Sequence, residues 1–188
     1  MKKIAPSYRY IGVDPGTNVL GYAIIEIAGK AVRVLDIGVF RMTKLETHPL
    51  KLKRIFEGVQ ELIEKYNPIE MAVEIPFYAK NPQSMLKLGR AQGVAIAAAM
   101  MNDVEVIEYY PKKIKLAVTG NGNASKEQLA AMLENILKIK VTQYPLDATD
   151  ALATAICHYY KRGNPLSGQK KYNDWSSYLK DNPNRKSS

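Results

Sequence analysis

The sequence predicts an α/β fold with a mixed central sheet. Three observations carry this reading. The chain opens with three consecutive β-rich segments joined by short turns. Stretches of helical periodicity then alternate with two short apolar strands, and helices close the chain. A sheet that begins with hairpins and continues through helical crossovers must contain both antiparallel and parallel pairs.

The elements follow in order. "YRYIGVD" (residues 8–14) reads as a buried strand that stops at Asp14, and "PGTN" is a turn. "LGYAIIEIA" and "VRVLDIGVFRM" are rich in β-branched and apolar residues, with "GK" in the turn between them, so the first three strands form an antiparallel meander. Between residues 48 and 66, Leu52, Ile55, Phe56, Val59, Leu62, Ile63 and Tyr66 recur at helical spacing, and "NP" ends the helix. "IEMAVEIPF" is a short strand. "SMLKLGRAQGVAIAAAMM" is a helix whose Ala and Gly side chains let a neighbour come close, either the sheet or a second copy of the chain. "VEVIEYY" is the fifth strand and "PKKIKLAV" a short helix. After the glycine-bearing loop "TGNGNAS", Ser125 with Gln128 three residues later forms a capping box. The last helix runs from about Asp147 through "ATDALATAICHYYK", with Asp147 in an N-cap position.

The chain thus divides into a folded unit over residues 1–162 and a polar, turn-rich tail over 163–188 that carries five basic and two acidic residues. The tail is expected to be mobile, anchored at most by Trp175 and Tyr178. At 188 residues, 46% hydrophobic and 24% charged, the composition is that of one soluble globular domain. No apolar run reaches the ~18 residues of a membrane span, and "MKKIAPSYRY" lacks the apolar stretch of a secretory signal. The single cysteine, Cys157, rules out an intramolecular disulfide and fits a reducing cytoplasm, with Cys157 as a small core residue. Lys+Arg total 27 against 18 Asp+Glu, and the net charge of +9 favours a polyanionic partner such as nucleic acid.

Four acids draw attention by position. Asp14 ends the first strand, and Glu74 sits near the end of the strand after the first long helix. Asp147 and Asp150, in "PLDATDALA", stand three apart at a helix start, where both project from one face. Singly, each has a structural explanation as a turn cap, an edge charge or a complement to a helix dipole. Together they are expected to cluster, because strand ends and helix starts meet at one edge of an α/β sheet. Carboxylates sharing a cleft repel one another and their pKa values rise. Mg²⁺ removes that penalty, since it is hard, prefers oxygen and keeps waters that phosphate oxygens can replace. Two such ions about 3.5–4 Å apart can drive in-line attack on a phosphodiester. With His48 and His158 as the only histidines, a zinc site is not expected.

"IGVDPGTNVLGYAII", "VEIPFYAKNPQSMLKLGRAQGVAIAAA", "EYYPKKIKLAVTGNGNASKEQL" and "LDATDALATAICH" resemble, in order and spacing, successive blocks of the RuvC family of crossover-junction endonucleases. The resemblance spans roughly residues 9–161. It implies an RNase H-like fold, a mixed five-stranded sheet flanked by helices. It further implies a homodimer that resolves four-way Holliday junctions by paired symmetric nicks, using Mg²⁺ or Mn²⁺, with the RuvA and RuvB branch-migration proteins as partners. The family's acidic tetrad falls on Asp14, Glu74, Asp147 and Asp150, with Asp at a fourth place where some relatives carry His. Its aromatic residue after the glutamate falls on Phe77, and its basic DNA-contacting residues on Lys115 and Lys126. An exposed Phe77 ring suits stacking on an unpaired base, worth about 1–3 kcal/mol. Lys115 and Lys126 flank a loop whose glycines allow close approach to a backbone. Lys80, Lys87 and Arg90 form a further candidate DNA-binding patch, Lys87 and Arg90 lying on one helix face. The sequence departs from the family pattern in the residues before the first strand and in the basic tail.

Two other readings are separable. "DPGTNVLGYAI" is also similar to the first phosphate loop of the actin and sugar-kinase ATPases, but those proteins need a second lobe for which 188 residues leave no room. A junction-binding module without chemistry would be favoured by loss of an acid from the tetrad, and all four are present.

Overall fold

The computed structural model describes residues 7–76 and 81–162. Phe77, Lys80 and the 163–188 tail lie outside the described residues. Strands β1 (Ser7–Asp14), β2 (Val19–Ala28) and β3 (Ala31–Arg41) are followed by helix α1 (His48–Tyr66) and strand β4 (Glu70–Glu74). Helix α2 (Pro82–Met100), strand β5 (Glu105–Tyr109), and helices α3 (Pro111–Thr119), α4 (Lys126–Leu137) and α5 (Leu146–Arg162) complete the chain. Among the described residues the strands form one five-stranded sheet in the order β3-β2-β1-β4-β5. β1 pairs antiparallel with β2, and β2 with β3, whereas β1–β4 and β4–β5 are parallel. The sheet is mixed, as the order of elements in the sequence requires.

Strand periodicity divides the core into two layers. Ile11 and Val13 face α1 and α2, within a core that includes Leu20, Ile24, Ile55 and Val59. Tyr8 and Tyr10 face the opposite way, toward α3, α4 and α5, among Ile25, Leu133, Leu152 and Ile156. Burying a side chain of this size contributes about 1.5–3 kcal/mol. β1 contributes residues to both layers, as the middle strand of a sheet covered on both faces must.

Capping chemistry sets where the helices begin. Thr47 accepts a hydrogen bond from the Leu50 amide, and Asn67, with φ of 47°, closes α1 in a left-handed cap. α2 starts at Pro82, two residues before the apolar periodicity suggests, because the Asn81 side chain accepts from the Gln83 and Ser84 amides. The Ser125–Gln128 capping box is formed as the sequence indicates. Along α2 only alanines are buried, Ala91, Ala95, Ala98 and Ala99, and these pack within the sheet's α1 side. Gly89 and Gly93 face open space.

Candidate active site

Parallel pairing of β1 with β4 is the first step in building the site. Val13 is in register with Val73, so Asp14 and Glu74 end their strands side by side. Strand alternation puts Asp14 on the same face as Gly12 and Tyr10, and Glu74 on the same face as Ala72 and Glu70. That face belongs to α5. A Cβ at Gly12 would strike the carbonyl of Ala151 and the Ala155 side chain, so the helix lies directly on the strand. Gly21, opposite Asp14 on β2, is covered in the same way by the backbone of Asp147 and Ala148. Two glycines therefore let the start of α5 sink onto the sheet edge where β1 and β4 end.

Asp147 and Asp150 ride on that helix start. Asp147 is not the N-cap expected from the sequence: the helix begins at Leu146, and the Thr149 amide bonds the carbonyl of Pro145. Asp147 therefore sits inside the first turn, where a carboxylate complements the helix dipole.

The electrostatics report the convergence. Burial, with Asp150 and Asp147 nearby, pushes the Asp14 carboxyl up to about 7. Burial, with Asp14 and Asp150, pushes Glu74 up to about 8. Lys126 opposes both shifts and Lys115 opposes that of Glu74. The Lys126 Nζ donates to Asp150 Oδ2 at 2.8 Å, a contact that raises the lysine's own pKa despite partial burial. Glu74, Lys115, Lys126 and Asp150 line one cavity of about 220 Å³ with Ile114 and Leu129. As they stand, no three carboxylate, imidazole or thiol side chains among the described residues are arranged to hold a metal ion.

Both lysines assigned by resemblance thus border the acids, Lys115 from α3 and Lys126 as the first residue of α4. Lys87 and Arg90 do not. They lie on α2, on the other face of the sheet, near His48 and Lys51. Sequence reasoning passed over Asn18, His48 and Lys51, which share a cavity with Lys87. Only basic residues near a helix start marked them.

The other histidine is structural. The His158 ring is fully buried, with Nε2 at 2.6 Å from Glu70 and Nδ1 at 2.8 Å from the Tyr109 hydroxyl. Cys157 is likewise buried in the core as expected, its thiol pushed up to about 11 by desolvation.

A 3-2-1-4-5 mixed sheet between helical layers, with carboxylates gathered where β1 and β4 end, defines an RNase H-like protein. The model of the RuvC family, crossover junction endodeoxyribonuclease, matches residues 10–158, and the chain belongs to that family. It is 53% identical over 175 residues to the crossover junction endodeoxyribonuclease RuvC of Cytophaga hutchinsonii, covering 93% of this chain and 86% of that protein. It is 49% identical over 185 residues to that of Christiangramia forsetii, covering 98% and 96%. Among solved structures, Thermus thermophilus RuvC in complex with a Holliday junction substrate superposes with a TM-score of 0.77 at 31% identity, covering 82% of this chain and 94% of that one. Family membership implies a divalent-metal-dependent nuclease.

Proposed function

We propose that this chain is a structure-selective endonuclease that resolves four-way DNA junctions by paired symmetric nicks, leaving 5′-phosphate and 3′-hydroxyl ends. The carrying observation is the meeting of Asp14, Glu74, Asp147 and Asp150, from three distant segments, at one sheet edge where two of them are pushed toward neutrality. That donor set is all hard oxygen, and a cation is the group that would relieve its repulsion. The four carboxylates would hold two Mg²⁺ ions, with Mn²⁺ as a substitute. When bound, the ions would supply an activated water and steady the leaving oxygen.

The chain's own residues do the rest. Lys126 holds one Asp150 oxygen and offsets the charge of the quartet. Its ammonium, with Lys115 on the same cavity, is placed to meet a phosphate oxygen of the substrate. The net charge of +9 supports a nucleic-acid substrate. Symmetric nicking requires two sites, so the working form is a homodimer, in the cytoplasm with the RuvA and RuvB proteins. The Thermus thermophilus relative's complex with a Holliday junction supports the substrate.

A labelled four-way junction, incubated with and without Mg²⁺ beside linear duplex of the same sequence, tests this. Metal-dependent paired nicks in the junction alone are expected. Binding without nicks in Mg²⁺ and Mn²⁺ would select a non-catalytic junction-binding module instead.

A further inference from the structure

A second cavity, of about 400 Å³, opens at the same edge of the sheet on the α1–α2 side. Thr17 and Asn18 of the β1–β2 turn, His48 and Lys51 of α1, and Ser84 and Lys87 of α2 line it. Both helices begin here, and neither has an acidic residue in its first turn. The positive ends of both helix dipoles therefore add to the potential of the lysines. The Lys51 Nζ donates to Asn18 Oδ1 at 2.6 Å, which ties the α1 start to the turn that follows Asp14. Lys87 is exposed and forms no ion pair among the described residues. Glu46 is the one acid lining the cavity, and it too is exposed.

The imidazole of His48 adds an independent sign. Its Nε2 is shielded from solvent and has no hydrogen-bond partner among the described residues, an unfavourable state unless a ligand or water completes it. Desolvation first, and then the charges of Arg90, Lys87 and Lys51, hold its pKa below the usual histidine value. A pocket of cations and hydroxyls at two helix starts, with an unfilled polar atom beside it, suits an anion.

We propose that this pocket holds a backbone phosphate of the DNA strand being cut, adjacent to the scissile phosphate, so that the strand crosses the sheet edge between the α1–α2 pocket and the acids. Lys51 and Lys87 pair with its oxygens, and Arg90 contributes at longer range. The assignment rests on the nuclease reading above and adds a positioning subsite to it. It also explains why Lys87 and Arg90 stand apart from Lys115 and Lys126: the two lysine sets grip the strand on opposite faces of the sheet.

The test measures junction binding in EDTA, where no cutting occurs, for the wild-type chain, Lys51→Gln/Lys87→Gln, and Lys30→Gln/Lys53→Gln as a control of equal charge change outside the pocket. Neither pocket lysine is buried, so the fold is not at stake. The pocket variant should bind more weakly than the control, and the slope of log K against log salt should fall by about 0.9 for one lost phosphate contact. Junctions with a neutral methylphosphonate at successive positions then locate the contact. One position next to the cut should weaken wild type severalfold and leave the pocket variant unchanged. Equal slopes in the pocket variant and control, or equal methylphosphonate penalties in wild type and variant, would overturn the subsite. Wild type that ignores the junction would instead overturn the nuclease reading itself.

Discussion

Gly21 stands opposite Asp14 on the β1–β2 ladder, and the backbone of Asp147 occupies the space a Cβ on Gly21 would take. One position without a side chain thus sets the distance between a strand-end acid and a helix-borne acid. Gly21→Ala must push the start of α5 off the sheet, because backbone atoms cannot give way as a flexible side chain can. Nicking should fall by about two orders of magnitude, as a displacement near 1 Å does at a positioned site, and Tm should drop. Gly93→Ala, where nothing stands within 4 Å, should leave the monomer's Tm unchanged or raised. Thermal melts and single-turnover nicking of the two variants check the contrast.

Asp14 sets stability against function. Its carboxylate is desolvated and faces Asp150 and Asp147, so ionising it opposes folding. Asp14→Asn should therefore raise the Tm of the metal-free protein at pH 8 while it removes metal-dependent nicking and leaves junction binding intact. Full cleavage by this variant would remove Asp14 from the centre of the mechanism.

A pH dependence follows from the same two groups. Asp14 at about 7 and Glu74 at about 8 both lie above their unfolded values near 4. A raised folded pKa means the folded state binds more protons, so the contribution to stability is full below pH 4 and is lost as pH climbs through 7–8. Metal-free protein should lose Tm between pH 5 and pH 8.5. Added Mg²⁺ or Mn²⁺ should restore more at pH 8.5 than at pH 6, because ions compete with protons for the same oxygens. Melts across that range, with and without metal, would show the two curves diverging upward in pH; parallel curves would contradict the shared site.

The mixed sheet with its opening meander, and the placement of the four acids at two strand ends and a helix start, were legible because they depend on period-2 and period-3.6 patterns that β1, β4 and α5 carry strongly. Helix starts were less so: Pro82 and Leu146 begin their helices ahead of the apolar rhythm, with the Asn81 side-chain cap and the first helical bond to the Pro145 carbonyl, neither of which periodicity registers. The contact between Lys126 and Asp150 joins residues far apart in the chain, and no local pattern encodes it. The basic pocket escaped for the same reason, since Asn18, Lys51 and Lys87 meet only after three elements pack.

Glu70 and Glu74 share a strand and a face, yet their environments drive them in opposite directions. At Glu70 burial would raise the pKa, but hydrogen bonds from His158 and Arg162 outweigh it and hold the carboxylate ionised. Its Oε1 accepts from Arg162 Nε at 2.7 Å while Oε2 faces His158. Glu70→Gln removes the buried acceptor of Arg162 and His158 but leaves Arg162 its exposed partner Glu105, and should destabilise the fold by about 1–3 kcal/mol. Nicking per folded molecule should be unchanged, because the network lies at the far end of β4 from the acids. Denaturant titration and active-site-normalised rates separate the two effects.

Lys126 gives the sharpest separation of metal binding from catalysis. Its ammonium bonds Asp150 and lowers the pKa of both Asp14 and Glu74, so it occupies electrostatically the place a cation would take. Lys126→Met removes that competitor while preserving the stem that covers the cavity wall. Without DNA, the variant should bind Mn²⁺ severalfold more tightly than wild type at pH 8, and its acids should titrate at higher pH in the absence of metal. With junction DNA present, nicking should nonetheless fall, because no ammonium then meets the phosphate. Calorimetric Mn²⁺ titration beside single-turnover nicking reads both. Weaker Mn²⁺ binding in the variant would mean the lysine helps assemble the metal site instead of competing for it.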